Sequence, residues 1–192
     1  MVCTKMNILE DVKMRCFKSV NTERRDEYNR VILKSAFISF IALCVLFLVH
    51  NFLVFDNFDT TYNLASFLGL VFIYPIHKVL HVVALFRYHS GLQIGIKKHF
   101  YILPCLHVRI KQIVPRKRYI FSLLFPFLFI LFIFFGIALL IPIWNSPVFL
   151  ILLSVHIGMC CPDFIHVNRI RKCPKNCYVE DGKRGFSILI AE

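Results

Sequence analysis

Residues 119–162 read YIFSLLFPFLFILFIFFGIALLIPIWNSPVFLILLSVHIGMCCP, a run of 44 positions without one Asp, Glu, Lys or Arg. A helix crosses a bilayer in about 20 residues, so the run is long enough for two crossings. It breaks at Ile141-Pro142-Ile143-Trp144-Asn145-Ser146-Pro147, where two prolines, an Asn and a Trp mark a turn at a membrane surface. Towards the N-terminus, Thr60 to Phe86 carries a single charge, Lys78, and Ser35 to Phe55 carries none. The pattern predicts four transmembrane helices, near 35–56, 61–87, 118–142 and 147–168.

Composition and charge placement agree with that reading. The chain is 58% hydrophobic and 18% charged, against about 25% charge in soluble domains. Its apolar content excludes a disordered chain. The net charge of +12 would suit nucleic acid, but the position of the charges decides otherwise. Except for Lys78, all 23 Lys and Arg lie before span one (Lys5 to Lys34), between spans two and three (Arg87 to Arg118) or after span four (Arg169 to Arg184). The connections near 56–61 and 142–147 hold no base, and the first carries Asp56 and Asp59. Cationic loops stay in the cytoplasm. Both termini and loop 88–117 are therefore expected on the cytoplasmic side of a plasma membrane, and the other two connections are external turns. Topology and anionic lipid account for the basic residues, so the bilayer is the expected partner and nucleic acid is not. The mostly polar first 34 residues argue against a cleavable signal peptide. The eight cysteines fall in membrane or cytoplasmic positions, where disulfides are not expected.

Three segments follow: a cytoplasmic lead-in (1–34), a transmembrane domain (35–168) with its loop 88–117, and a cytoplasmic tail (169–192). In the lead-in, Met6, Ile8, Leu9, Val12, Met14 and Phe17 among charges predict an amphipathic surface helix. In the loop, Leu106, Val108 and Ile110 alternate with His107, Arg109 and Lys111, a strand period that predicts a hairpin. In the tail, a turn signal at Asp181-Gly182 separates two strand-like runs, expected to pair with the loop. The fold class is an all-α polytopic membrane protein of four helices with small cytoplasmic β elements.

Two charged residues fall within the spans, Lys78 and Asp163. Ionisable groups at membrane depth are costly and mark function or pair with each other. Each lies about 16 residues from the external end of its helix, roughly 24 Å along the axis. Around Lys78 the sequence is His77-Lys78-Val79-Leu80-His81. Histidines at i and i+4 project about 40° apart, so both imidazoles can reach one zinc ion. A carboxylate from another helix would complete a three-ligand site, and Asp163 is the candidate. His156 and Cys160 share nearly the same face of helix four, as ligands, outer partners or packed residues. The metal-free reading is a buried Lys78–Asp163 ion pair with the histidines hydrogen-bonded around it.

These residues resemble the bacterial membrane family of putative zincin peptidases, first catalogued as a domain of unknown function and related in architecture to the site-two proteases. His77-Lys78-Val79-Leu80-His81 matches the family's His-Glu-x-x-His, and Cys161-Pro162-Asp163 its acidic position in the last span. Cys16 to Asn21, Tyr119 to Pro126 and Val179 to Ile190 are similar to its lead-in, its Pro-containing span three and its strand-like tail. The resemblance implies a zincin-like intramembrane site with His77, His81 and Asp163 as zinc ligands. It also exposes a departure. In zincins the Glu after the first His is the general base; here that catalytic position is Lys78, and an ammonium has no lone pair to accept a proton. A desolvated lysine can lose its proton, so three functions are set against one another. The first is a catalytically impaired pseudo-protease that binds a membrane protein or peptide through its cytoplasmic strands. The second is an active intramembrane metalloprotease with a non-standard base. The third is a small transporter or channel subunit built around the Lys78–Asp163 pair. Cys173-Pro174-Lys175-Asn176-Cys177 lacks the usual spacing of a zinc knuckle.

Overall fold

In the computed structural model the described residues are 14–21, 25–54, 57–86, 92–99, 103–110, 112–182 and 185–191. The chain runs β1 (Met14–Asn21), α1 (Arg25–Val49) with a π-helical extension (His50–Val54), α2 (Asn63–Ala84), β2 (Leu92–His99), β3 (Leu103–Ile110), β4 (Val114–Pro115), α3 (Arg116–Leu140), a 3-10 turn (Ile143–Asn145), α4 (Pro147–Met159), α5 (Cys161–Arg171), β5 (Cys177–Gly182) and β6 (Gly185–Ala191). Four helical segments are long and apolar enough to cross a membrane: Asp26–Phe52, Asn63–Ala84, Arg116–Leu140 and Pro147–Arg171. The predicted break at 141–147 is the turn between α3 and α4. There Ser146 caps α4, accepting from the Phe149 amide at 3.3 Å, and Pro147 occupies the first turn, where its missing N–H leaves no partner wanting. α1 begins at Arg25, before the uncharged stretch. Asp26 and Glu27 in its first turn complement the positive end of the helix dipole.

The last span is two helices. Pro162 has no amide to bond to the Gly158 carbonyl, so the helix stops at Met159 and restarts at Cys161. Gly158 lets α4 approach α1 closely: a Cβ there would collide with Ser39 Oγ and lie 2.6 Å from the Ser35 carbonyl oxygen. Inside the bundle, Ile73, Leu80, Ile130, Phe149, Leu150 and Leu152 form one apolar cluster. At one end the α1–α2 connection meets the α3–α4 turn, with the Asp59 amide donating to the Asn145 carbonyl at 2.8 Å.

At the other end lies an antiparallel sheet in the order β1-β6-β5-β4. Val20, Val179, Phe186 and Ile188 pack with Ile170, Cys173 and Cys177 in a second core. Arg116, at the start of α3, donates to the carbonyls of Arg171, Cys173 and Pro174 at 3.0–3.1 Å, satisfying carbonyls at and beyond the C-terminus of α5. The sheet gathers the N-terminal strand, the C-terminal strands and the end of the α2–α3 segment.

The strands refine the sequence reading. The expected hairpin exists as β2–β3, with Leu106, Val108 and Ile110 opposite Ile96, Ile94 and Leu92. The tail forms β5 and β6 about a turn in which Gly185 adopts φ 146°, a region that favours glycine. It pairs with the loop through Val114–Val179 and Pro115–Tyr178. The lead-in is corrected: Met14–Asn21 is a strand, not a surface helix, and α1 already begins at Arg25. The free edge of β6 supplies a partner for every residue of β1 except Phe17, which is bulged out and exposed. Met6, Ile8, Leu9 and Val12 lie outside the described residues.

Candidate metal centre

His77 and His81 sit one helical turn apart on α2, and Asp163 stands in the first turn of α5, just beyond the Pro162 break. The three side chains converge. His77 Nε2 lies 3.1 Å from Asp163 Oδ2, His81 Nε2 lies 3.1 Å from His77 Nε2, and His81 Nε2 lies 3.5 Å from Asp163 Oδ2. His77 is 2% and Asp163 9% exposed. These side-chain contacts join α2 to α5.

A second contact orients His81. Its Nδ1 lies 2.8 Å from the backbone oxygen of Ser122 in α3. A carbonyl only accepts, so Nδ1 carries a proton and the ring is fixed with Nε2 towards His77 and Asp163. The Ser122 carbonyl is available because Pro126, four residues on, has no amide to claim it. Pro126 is thereby part of the construction of the site. The sequence signal was present, a proline inside a helix four residues after the acceptor, but nothing in the sequence paired Ser122 with His81.

The donor set fits a divalent ion. Nitrogen and oxygen ligands at about 2.0–2.1 Å from one tetrahedral ion stand roughly 3.3 Å from one another, and the three separations here are 3.1, 3.1 and 3.5 Å. An imidazole that ligates through Nε2 is normally held through Nδ1–H by a carbonyl or carboxylate, as His81 is by Ser122. His77, His81 and Asp163 would be the residues to hold such an ion.

Lys78 takes no part in that cluster. Its ammonium stands 6.0 Å from the centre of the Tyr74 ring. The Lys78–Asp163 ion pair considered above is corrected: among the described residues, the ion-pair partners of Asp163 are His77 and His81. Lys78 follows His77 by one residue, about 100° around the helix, and so leaves the face that carries the two histidines. No other carboxylate replaces the missing glutamate among the described helical residues: Asp26 is exposed and Glu27 pairs with Arg169 at 3.6 Å. Cys173 and Cys177 are buried in the sheet core, where burial pushes the Cys177 thiol above its usual range.

A family model described as putative zincin peptidase matches residues 70–178, more than half of the chain, and the matched segment carries His77, His81, Pro126 and Asp163. The protein belongs to that family. No curated protein and no solved structure matches the chain significantly.

Proposed function

We propose that this protein is a membrane-embedded, zinc-binding member of the zincin peptidase family whose hydrolytic step is impaired and whose present role is to bind a membrane protein or peptide. The observation that carries the reading is the convergence of His77, His81 and Asp163 beside a lysine in the general-base position. Bound zinc supplies a Lewis acid that polarises a carbonyl and acidifies water. The chain's own groups do the rest. His77 and His81 supply imidazole lone pairs, the Ser122 carbonyl fixes the ring of His81, and Asp163 supplies negative charge at the same depth. What the described helices lack is a second carboxylate beside the cluster to take the proton from water, and positioned acid–base groups typically contribute about 10²–10⁴-fold.

The partner reading rests on the sheet. β1 pairs through one edge only among the described residues, and β4 covers just Tyr178 and Val179 of β5. Such edges accept an extended segment by main-chain hydrogen bonds. The charge placement supports a cytoplasmic sheet and a plasma membrane location.

Metal analysis and one substitution test this reading. Purified protein is expected to carry zinc and to leave fluorescent casein and a library of apolar peptides intact, whereas Lys78→Glu gains peptide hydrolysis. Zinc-free wild-type protein under metal-replete conditions would contradict the proposal. So would cleavage by the wild type that Lys78→Glu abolishes, which would identify the lysine as a working base.

A further inference from the structure

Behind His77, on the side away from Asp163, lies a second group of ligand atoms. We propose that His77 Nδ1, His156 Nε2 and Cys160 Sγ form a second metal position, selective for a thiophilic ion of the zinc class. Cys160 Sγ lies 3.6 Å from His156 Nε2 and 3.9 Å from His77 Nδ1, and all three ligand atoms fall within 4.8 Å of one another. A thiolate at about 2.3 Å and an imidazole nitrogen at about 2.0–2.1 Å from one tetrahedral ion stand roughly 3.6 Å apart. The two sulfur–nitrogen separations are close to that spacing. A neutral thiol donates to one imidazole and accepts only weakly from the other, whereas an ion draws on the lone pairs of both.

His156 supplies an independent observation. It is fully buried, and its Nδ1 has no hydrogen-bond partner, with Phe127 and Phe134 against its ring. A histidine with an unpartnered Nδ1 among aromatic rings is costly to bury; ligation adds a strong interaction at Nε2 and leaves Nδ1 as it is. A thiolate with two imidazoles selects zinc or copper(I) over magnesium or calcium. The ion keeps its oxidation state on binding, and the thiol proton of Cys160 is released to solvent. With both positions filled, the ring of His77 also gives up its N–H proton and is shared, Nε2 to the first ion and Nδ1 to the second. The second position needs His77 but not the first ion.

Cobalt(II) is the probe. Metal-stripped protein in detergent is titrated with cobalt(II) while absorbance and bound cobalt are followed. The wild type is expected to bind two equivalents and to develop intense near-ultraviolet thiolate-to-cobalt absorption that zinc abolishes. Asp163→Asn is expected to keep that absorption with one equivalent, and Cys160→Ser to lose it and keep one. His156→Gln is expected to raise the cobalt concentration needed for that absorption at least tenfold. One equivalent with the absorption in both wild type and Asp163→Asn would uphold the second position while removing the first. Saturation of the wild type without thiolate absorption, or full absorption in Cys160→Ser, would overturn the proposal.

Discussion

The first and last spans are alike in sequence and opposite in surroundings. Asp26–Phe52 and Pro147–Arg171 are both apolar helices of membrane-spanning length. None of the most apolar stretch of the first is buried within the protein, whereas half of that in the last is. α1 turns Leu33, Phe37, Phe40 and Leu48 outward, while α4 buries Phe149, Leu150, Leu152 and Leu153. The polar groups follow the burial: Ser154, His156, Cys160 and Asp163 all lie in the covered span. Apolar composition marks a segment for lipid, but neighbouring helices decide where a carboxylate and imidazoles can be kept together.

The contrast can be broken or sharpened by substitution. Leu150→Ala opens a cavity where α4 is fully covered, and is expected to cost about 2–5 kcal/mol, read as a lowered midpoint of denaturation in mixed micelles. Gly158→Val places methyl groups against Ser39 and the Ser35 carbonyl, and overpacking of that kind costs about 1–3 kcal/mol. In the same assay it is expected to destabilise the protein, and an unchanged midpoint would mean that α1 does not seat on α4 as described. Pro126→Ala returns an amide that competes with His81 for the Ser122 carbonyl. Loss of an outer partner typically weakens metal binding about 10–100-fold, so competition with a zinc chelator should show a drop of that size while the fold survives. Leu48→Ala, on the outward face of α1, is expected to stay within about 0.5 kcal/mol of the wild type. A cost comparable to that of Leu150→Ala would show that α1 has a protein neighbour there.

How much of this was legible in the sequence depends on the kind of interaction. The long apolar helices could be read because lipid demands long uncharged runs. His77 and His81 were legible as a pair because helical periodicity puts i and i+4 on one face. Asp163 was legible because it is the one carboxylate within the apolar spans read from the sequence. The strand at Met14–Asn21 was not, since its partner β6 lies at the far end of the chain and local pattern does not reveal long-range pairing. The Ser122–His81 contact was equally hidden. Proline frees a carbonyl in α3, but which side chain takes it is a matter of packing between helices. The Lys78–Asp163 pairing failed for a geometric reason: matched depth does not imply a matched face.

The measurement that bears most directly on the central claim is a count of bound zinc in wild type and Asp163→Asn, purified side by side and equilibrated with the same free zinc. If His77, His81 and Asp163 hold one ion, the variant binds one equivalent fewer than the wild type at zinc concentrations that saturate the wild type. Equal zinc in the two proteins, at equal affinity, would contradict the account.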